Sequence, residues 1–147
     1  MYTGEEMTEE ELDLLFKRAT NYANTYSSDS ETKVGALLLR TTLKSANRVI
    51  TGATGLPTVR PDKYEYILHA EANLVFKAAE TGISMYRRTV FCTLSPCQNC
   101  IRTMFQAGIR EVYYKEVYRD YNPNMRDIQV TETKVGPYTK MVLSNYE

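Results

Sequence analysis

The chain has 147 residues, in which 18 basic side chains balance 18 acidic ones, with three cysteines, one histidine and no tryptophan. That length suits one domain over residues 1–147, able to bury a core without disulfide staples, and zero net charge offers no global field to a nucleic-acid polymer or an anionic membrane. No apolar run approaches the ~20 residues that cross a bilayer, and the polar, acidic start is wrong for a signal or transit peptide, so a cytoplasmic chain is expected.

Thr8 and Glu11 form a capping box. Beyond it Leu12, Leu15, Phe16, Ala19, Tyr22, Ala23 and Tyr26 recur at helical spacing, which predicts a helix to about Tyr26 with one buried face. Residues 27–31 read as a polar loop. The apolar run 34–39 reads as a buried strand, and residues 48–53 as its antiparallel neighbour. Two glycines and two prolines in 52–61 predict a loop. Residues 69–79 have helical spacing, with Gly82 as the stop. Residues 89–93 read as a strand, and Pro96 as the first position of a helix to Gln106, ended by Gly108. A strand is expected over 111–114, and Gly136-Pro137 between two β-prone runs suggests a hairpin. The order α-β-β-α-β-α-β predicts a mixed sheet covered by helices on both faces.

Two short motifs carry chemistry: His69-Ala70-Glu71 and Pro96-Cys97-Gln98-Asn99-Cys100, each at a predicted helix start. Cysteines three apart in a first helical turn share one face, and the helix N-terminus favours the thiolate that metal binding requires. With His69 they give three ligands, which leaves one position of a zinc tetrahedron open, as in catalytic sites. Glu71, two residues from the histidine, is placed to move protons without binding the metal. The His-x-Glu and Pro-Cys-x-x-Cys pair is the signature of zinc deaminases. Other readings stand beside this one. Cys-x-x-Cys between a strand and a helix also fits a thioredoxin-like redox site, though His-Ala-Glu then goes unexplained. Cys92 as a fourth ligand would close the zinc site into a structural one, but it sits inside an apolar run, where a cysteine usually acts as a small hydrophobe.

At these motifs the chain resembles the deoxycytidylate (dCMP) deaminases, over about residues 28–118. The matching stretches are Thr32-Lys33-Val34-Gly35-Ala36, Lys63-Tyr64-Glu65-Tyr66 leading into His69-Ala70-Glu71-Ala72-Asn73, the run from Val90 to Cys100, and Gln106-Ala107-Gly108-Ile109. The resemblance implies a three-layer α-β-α, cytidine-deaminase-like fold with a mixed, mostly five-stranded sheet. It implies one catalytic Zn2+ held by His69, Cys97 and Cys100, Glu71 as proton shuttle, and backbone around Ala70 and Ser95 on the pyrimidine edge. Tyr118 becomes a candidate substrate contact. The loop 27–33, with Ser28, and the Tyr118-Arg119 pair are candidates for the phosphate pocket. The expected reaction is hydrolysis of dCMP to dUMP by a homohexamer, switched on by dCTP with Mg2+ and off by dTTP. The effector loop would be Gly52-Ala53-Thr54-Gly55, where Thr54 replaces the family's asparagine and is also a candidate substrate contact, and Arg40, Lys44, Arg48 and Arg60 lie on or around the strand pair that leads to it. The short stretch before His69 holds no cysteine or histidine, so no second, structural zinc is expected. The same fold also serves cytidine, dCTP and tRNA adenosine deaminases, and a non-catalytic zinc module would share the ligands. A module of that kind gives Glu71 no task.

Overall fold

The capping box at Thr8 forms as the sequence predicts: the Thr8 hydroxyl accepts from the Glu11 N–H at 3.2 Å, and the Glu11 carboxylate accepts from the Thr8 N–H at 3.1 Å. It opens α1 (Glu9–Tyr26), which buries Leu12, Ala19 and Ala23. The computed structural model describes residues 7–49 and 67–146. Over these, the order continues β1 (Gly35–Leu38), β2 (Lys44–Ala46), β3 (Arg48–Val49), β4 (Ile67–Leu68), α2 (Ala70–Thr81), β5 (Thr89–Leu94), α3 (Gln98–Gln106), β6 (Glu111–Glu116), β7 (Gln129–Val135) and β8 (Tyr138–Ser144).

The main sheet runs β2-β1-β5-β6-β8-β7. Only β5 and β6 are parallel, joined through α3, and the other pairings are antiparallel. Strand alternation sends one set of side chains to each face. Leu37, Leu39, Phe91, Tyr113 and Tyr138 pack with Leu12 and Ala19 of α1. Ala36, Leu38, Val90, Cys92, Val112 and Met141 pack with Ala70, Leu74, Ile101 and Met104 of α2 and α3. The expected three layers result. At Gly35 a Cβ would sit 2.2 Å from the Ala19 carbonyl oxygen, so only glycine lets α1 lie this close to β1. Gly82 stops α2 in the left-handed region at φ 74°.

The structure departs from the sequence reading at three places. The neighbour of β1 among the described residues is Lys44–Ala46; of the expected strand 48–53, Arg48–Val49 pairs instead with Ile67–Leu68 in a separate two-stranded sheet, and 50–53 lie outside the described residues. Asn47 turns the chain out of the main sheet. Its side-chain oxygen accepts from the Ser27 hydroxyl (2.6 Å) and the Val34 N–H (2.9 Å), and its amide donates to the Thr32 carbonyl (2.8 Å). Secondly, α3 starts at Gln98 with Cys97 as its cap, because the Cys97 sulfur accepts the Cys100 N–H; Pro96 precedes the cap. Thirdly, the sheet has six strands rather than five, since both arms of the Gly136 hairpin join it through β8. Among the described residues no helix is long and apolar enough to cross a membrane.

Candidate active site

Both motif helices begin at one end of the sheet. His69 caps α2 and Cys97 caps α3, with Cys100 in its first turn. The His69 Nδ1 lies 3.5 Å from the Cys97 sulfur and 3.3 Å from the Cys100 sulfur, and all three ligand atoms fall within 4.8 Å of one another. A zinc tetrahedron with ordinary Zn–S and Zn–N bonds has edges of about 3.6 Å, so the donor set fits a single zinc. Among the described residues this is the one such cluster. Cys92 is not part of it: the side chain is buried in β5 with its sulfur 3.8 Å from the Tyr113 carbonyl, and burial pushes its thiol up.

The electrostatics follow from this crowding. A hydrogen bond from the Cys100 thiol, with help from His69, holds Cys97 down at about 4. The same bond, with burial, pushes Cys100 well up. The bond to Cys97 raises His69, against the opposing effect of burial. Glu71 is 3% exposed beside them. Burial lifts its carboxyl to about 7, opposed by a hydrogen bond with Cys100 and by the charge of His69. A carboxyl poised near neutrality can both take and give a proton.

Long-range bonds hold this arrangement. The Ser45 hydroxyl donates to the Ala70 carbonyl (2.5 Å), and the Asn73 amide to the Ala46 carbonyl (3.0 Å), fixing the start of α2 on β2. The Ser95 N–H donates to the Glu116 carbonyl, and the Ser95 hydroxyl accepts the Tyr118 N–H, both at 2.8 Å. In front lies a cleft of about 250 Å³, where His69, Ala70, Glu71, Ser95, Cys97 and Tyr118 meet as the sequence reading expects.

Other expectations fare differently. Ser28 does not line the cleft. Its N–H is tied to the Asn47 carbonyl (3.0 Å), and Asp29 and Thr32 of the same loop face the cleft instead. Arg119 is exposed, 3.7 Å from Asp120. Gly52, Ala53, Thr54, Gly55 and Arg60 lie outside the described residues. Asp29, Asn47, Asp120 and Tyr121 are cleft residues that motif reading misses. The only sequence signal is turn chemistry at Asp29, whose carboxylate accepts the Glu31 and Thr32 N–H groups.

The model of the cytidine and deoxycytidylate deaminase zinc-binding region matches residues 9–116, which include the three-ligand cluster. The chain belongs to that family. Deoxycytidylate deaminase of enterobacteria phage T2 is 39% identical over 61 residues, which are 42% of this chain and 32% of that protein. Human deoxycytidylate deaminase is 31% identical over 114 residues, covering 64% of this chain and 59% of the human one. The chain thus spans less than two thirds of these curated relatives. Among solved structures, dCMP deaminase from cyanophage S-TIM5 in complex with dCMP and dUMP superimposes with a TM-score of 0.66 at 30% identity. That match covers 78% of this chain and 88% of the other.

Proposed function

We propose that the chain is a zinc-dependent deaminase that hydrolyses dCMP to dUMP, with His69, Cys97 and Cys100 as metal ligands and Glu71 as the catalytic residue. The observation that carries this reading is the buried Glu71 carboxyl set beside the three-ligand cluster on the wall of the cleft. Zinc held by His69, Cys97 and Cys100 would supply a water acidic enough to react near neutral pH. Glu71 takes one proton from the attacking water and passes it to the ring nitrogen, then takes the second proton from the oxygen now bonded to the ring carbon and passes it to the leaving amine. Water replaces the amino group at the reacting ring carbon, and ammonia departs. The Ser95 N–H and hydroxyl serve the protein itself, so its carbonyl and the backbone at Ala70 hold the pyrimidine edge. Tyr118 flanks the substrate. The sequence resemblance extends the proposal to a cytoplasmic homohexamer with an effector loop at residues 52–55, activated by dCTP with Mg2+ and inhibited by dTTP.

The test is to incubate pure protein with dCMP, dCTP, deoxycytidine, cytidine and a tRNA anticodon stem, and to follow deamination. dCMP should exceed deoxycytidine by more than ~10-fold in kcat/KM, because one charged hydrogen bond to the phosphate already exceeds 1.4 kcal/mol. A preference for the bare nucleoside overturns the mononucleotide assignment. Rates with and without each effector test the regulation, and superimposable curves refute it.

A further inference from the structure

The family match ends at residue 116, yet part of the cleft lies beyond it. Tyr118, Asp120 and Tyr121 reach the cleft from the stretch between β6 and β7. This strap, residues 117–128, has no regular structure of its own. At one end the Tyr118 N–H is held by Ser95. In its middle the Gln98 amide donates to the Asn122 carbonyl at 2.9 Å. Near its end Arg102 meets Asp127 at 2.7 Å, and the Tyr146 hydroxyl donates to the Met125 carbonyl at 3.0 Å.

None of those bonds fixes the Tyr121 ring. That is done from the C-terminal hairpin. The Tyr121 hydroxyl donates to one oxygen of Glu132 on β7 at 2.9 Å, and the Tyr114 hydroxyl of β6 donates to the same oxygen. The two rings pack edge to face with centroids 5.5 Å apart. Val130, Glu132 and Lys134 alternate onto one side of β7, and Val130 packs into the core beneath α2 and α3. The hairpin therefore presents the Glu132 carboxylate on the side of the sheet where the cleft lies.

We infer that Glu132 is a positioning residue. Its carboxylate anchors Tyr121, and through it the strap, so that the strap forms a fixed wall against which the substrate is held. The inference rests on the deaminase reading for its kinetic consequence but not for the clamp. Losing the acceptor frees the Tyr121 ring and loosens the strap around it while leaving His69, Glu71, Cys97 and Cys100 untouched, so the cost falls on substrate binding rather than on chemistry.

The test compares the wild type with Glu132→Leu, Glu132→Gln, Tyr121→Phe and the Glu132→Leu/Tyr121→Phe double variant. The readouts are zinc content, steady-state kinetics with dCMP, and hydrogen–deuterium exchange by mass spectrometry. Glu132→Leu should raise KM by about tenfold, the worth of one hydrogen bond to a charged group, with kcat within about twofold. Exchange should quicken across 117–128 and not in β5, α2 or α3. Glu132→Gln, which keeps an acceptor, should restore most of the KM. The double variant should be no worse than Glu132→Leu alone, since the Tyr121–Glu132 bond is already lost in that single variant. Unchanged KM and strap exchange in Glu132→Leu overturns the inference. Faster exchange throughout the chain with zinc lost does so too, since it makes Glu132 a general structural residue. A wild type that deaminates nothing in the panel refutes the proposed function instead, and the exchange pattern then decides the clamp.

Discussion

On one wall of the cleft His69, Glu71, Cys97 and Cys100 come from two helix starts, each within a stretch of five residues or fewer. On the other wall Tyr118, Asp120 and Tyr121 come from an irregular strap that owes its shape to Ser95, Gln98, Arg102, Glu132 and Tyr146, residues spread over much of the chain. Within each motif of the first wall local geometry suffices, because a helix cap and its third residue share one face, and the sheet has only to bring the two helix starts together. The second wall exists only once the sheet is assembled and the C-terminal hairpin has closed against β6. Chemistry and recognition are thus built here at different levels of structure, and different substitutions should separate them.

The largest effect is expected from breaking the first wall. His69→Ala should reduce zinc from about one per chain to none and abolish turnover, since no other described histidine, cysteine or carboxylate joins the cluster. Cys92→Ala should keep its zinc and its activity, because Cys92 is buried in β5 away from the cluster. Zinc analysis of both proteins checks this, and loss of zinc from Cys92→Ala contradicts the three-ligand site.

How much of this could be read from the sequence follows from the same contrast. The ligand set, Glu71, the capped α1 and the helix stops at Gly82 and Gly108 depend on spacing and caps within a few residues, and they are legible in the sequence. The β2 strand is not legible, because Lys44-Ser45-Ala46 has one small apolar residue and no β-branched one, and is a strand only because β1 and α2 pack on it. The place of Ser28, off the cleft lining, is not legible for a related reason. Loop composition marks residues 27–33 as polar, but only the Asn47 hydrogen bonds decide that Asp29 and Thr32, rather than Ser28, face the cleft. Tyr121 and Glu132 are eleven residues apart on an irregular strap and a strand, a pairing that no periodicity predicts.

A smaller effect sharpens the first wall. The Glu71 carboxyl, at about 7 in the folded chain, stands above its ordinary 4.5 because of burial. As pH rises from 4.5 the unfolded chain loses this proton before the folded one, so Glu71 lowers stability progressively until about pH 7 and by a constant amount beyond. In chelator-stripped protein, Glu71→Gln should therefore raise the melting temperature by about 10 °C at pH 8 and by almost nothing at pH 4. Thermal melts at the two pH values check it, and an equal shift at both contradicts a burial-raised carboxyl.

The central claim is that the first wall performs catalysis and does more than hold a metal, and Glu71→Ala tests it most directly. Zinc content and dCMP turnover are measured on the same preparation. The account predicts about one zinc per chain, as in the wild type, with turnover lower by at least ~100-fold through lost proton transfer. Undiminished turnover in a zinc-loaded Glu71→Ala protein would contradict it.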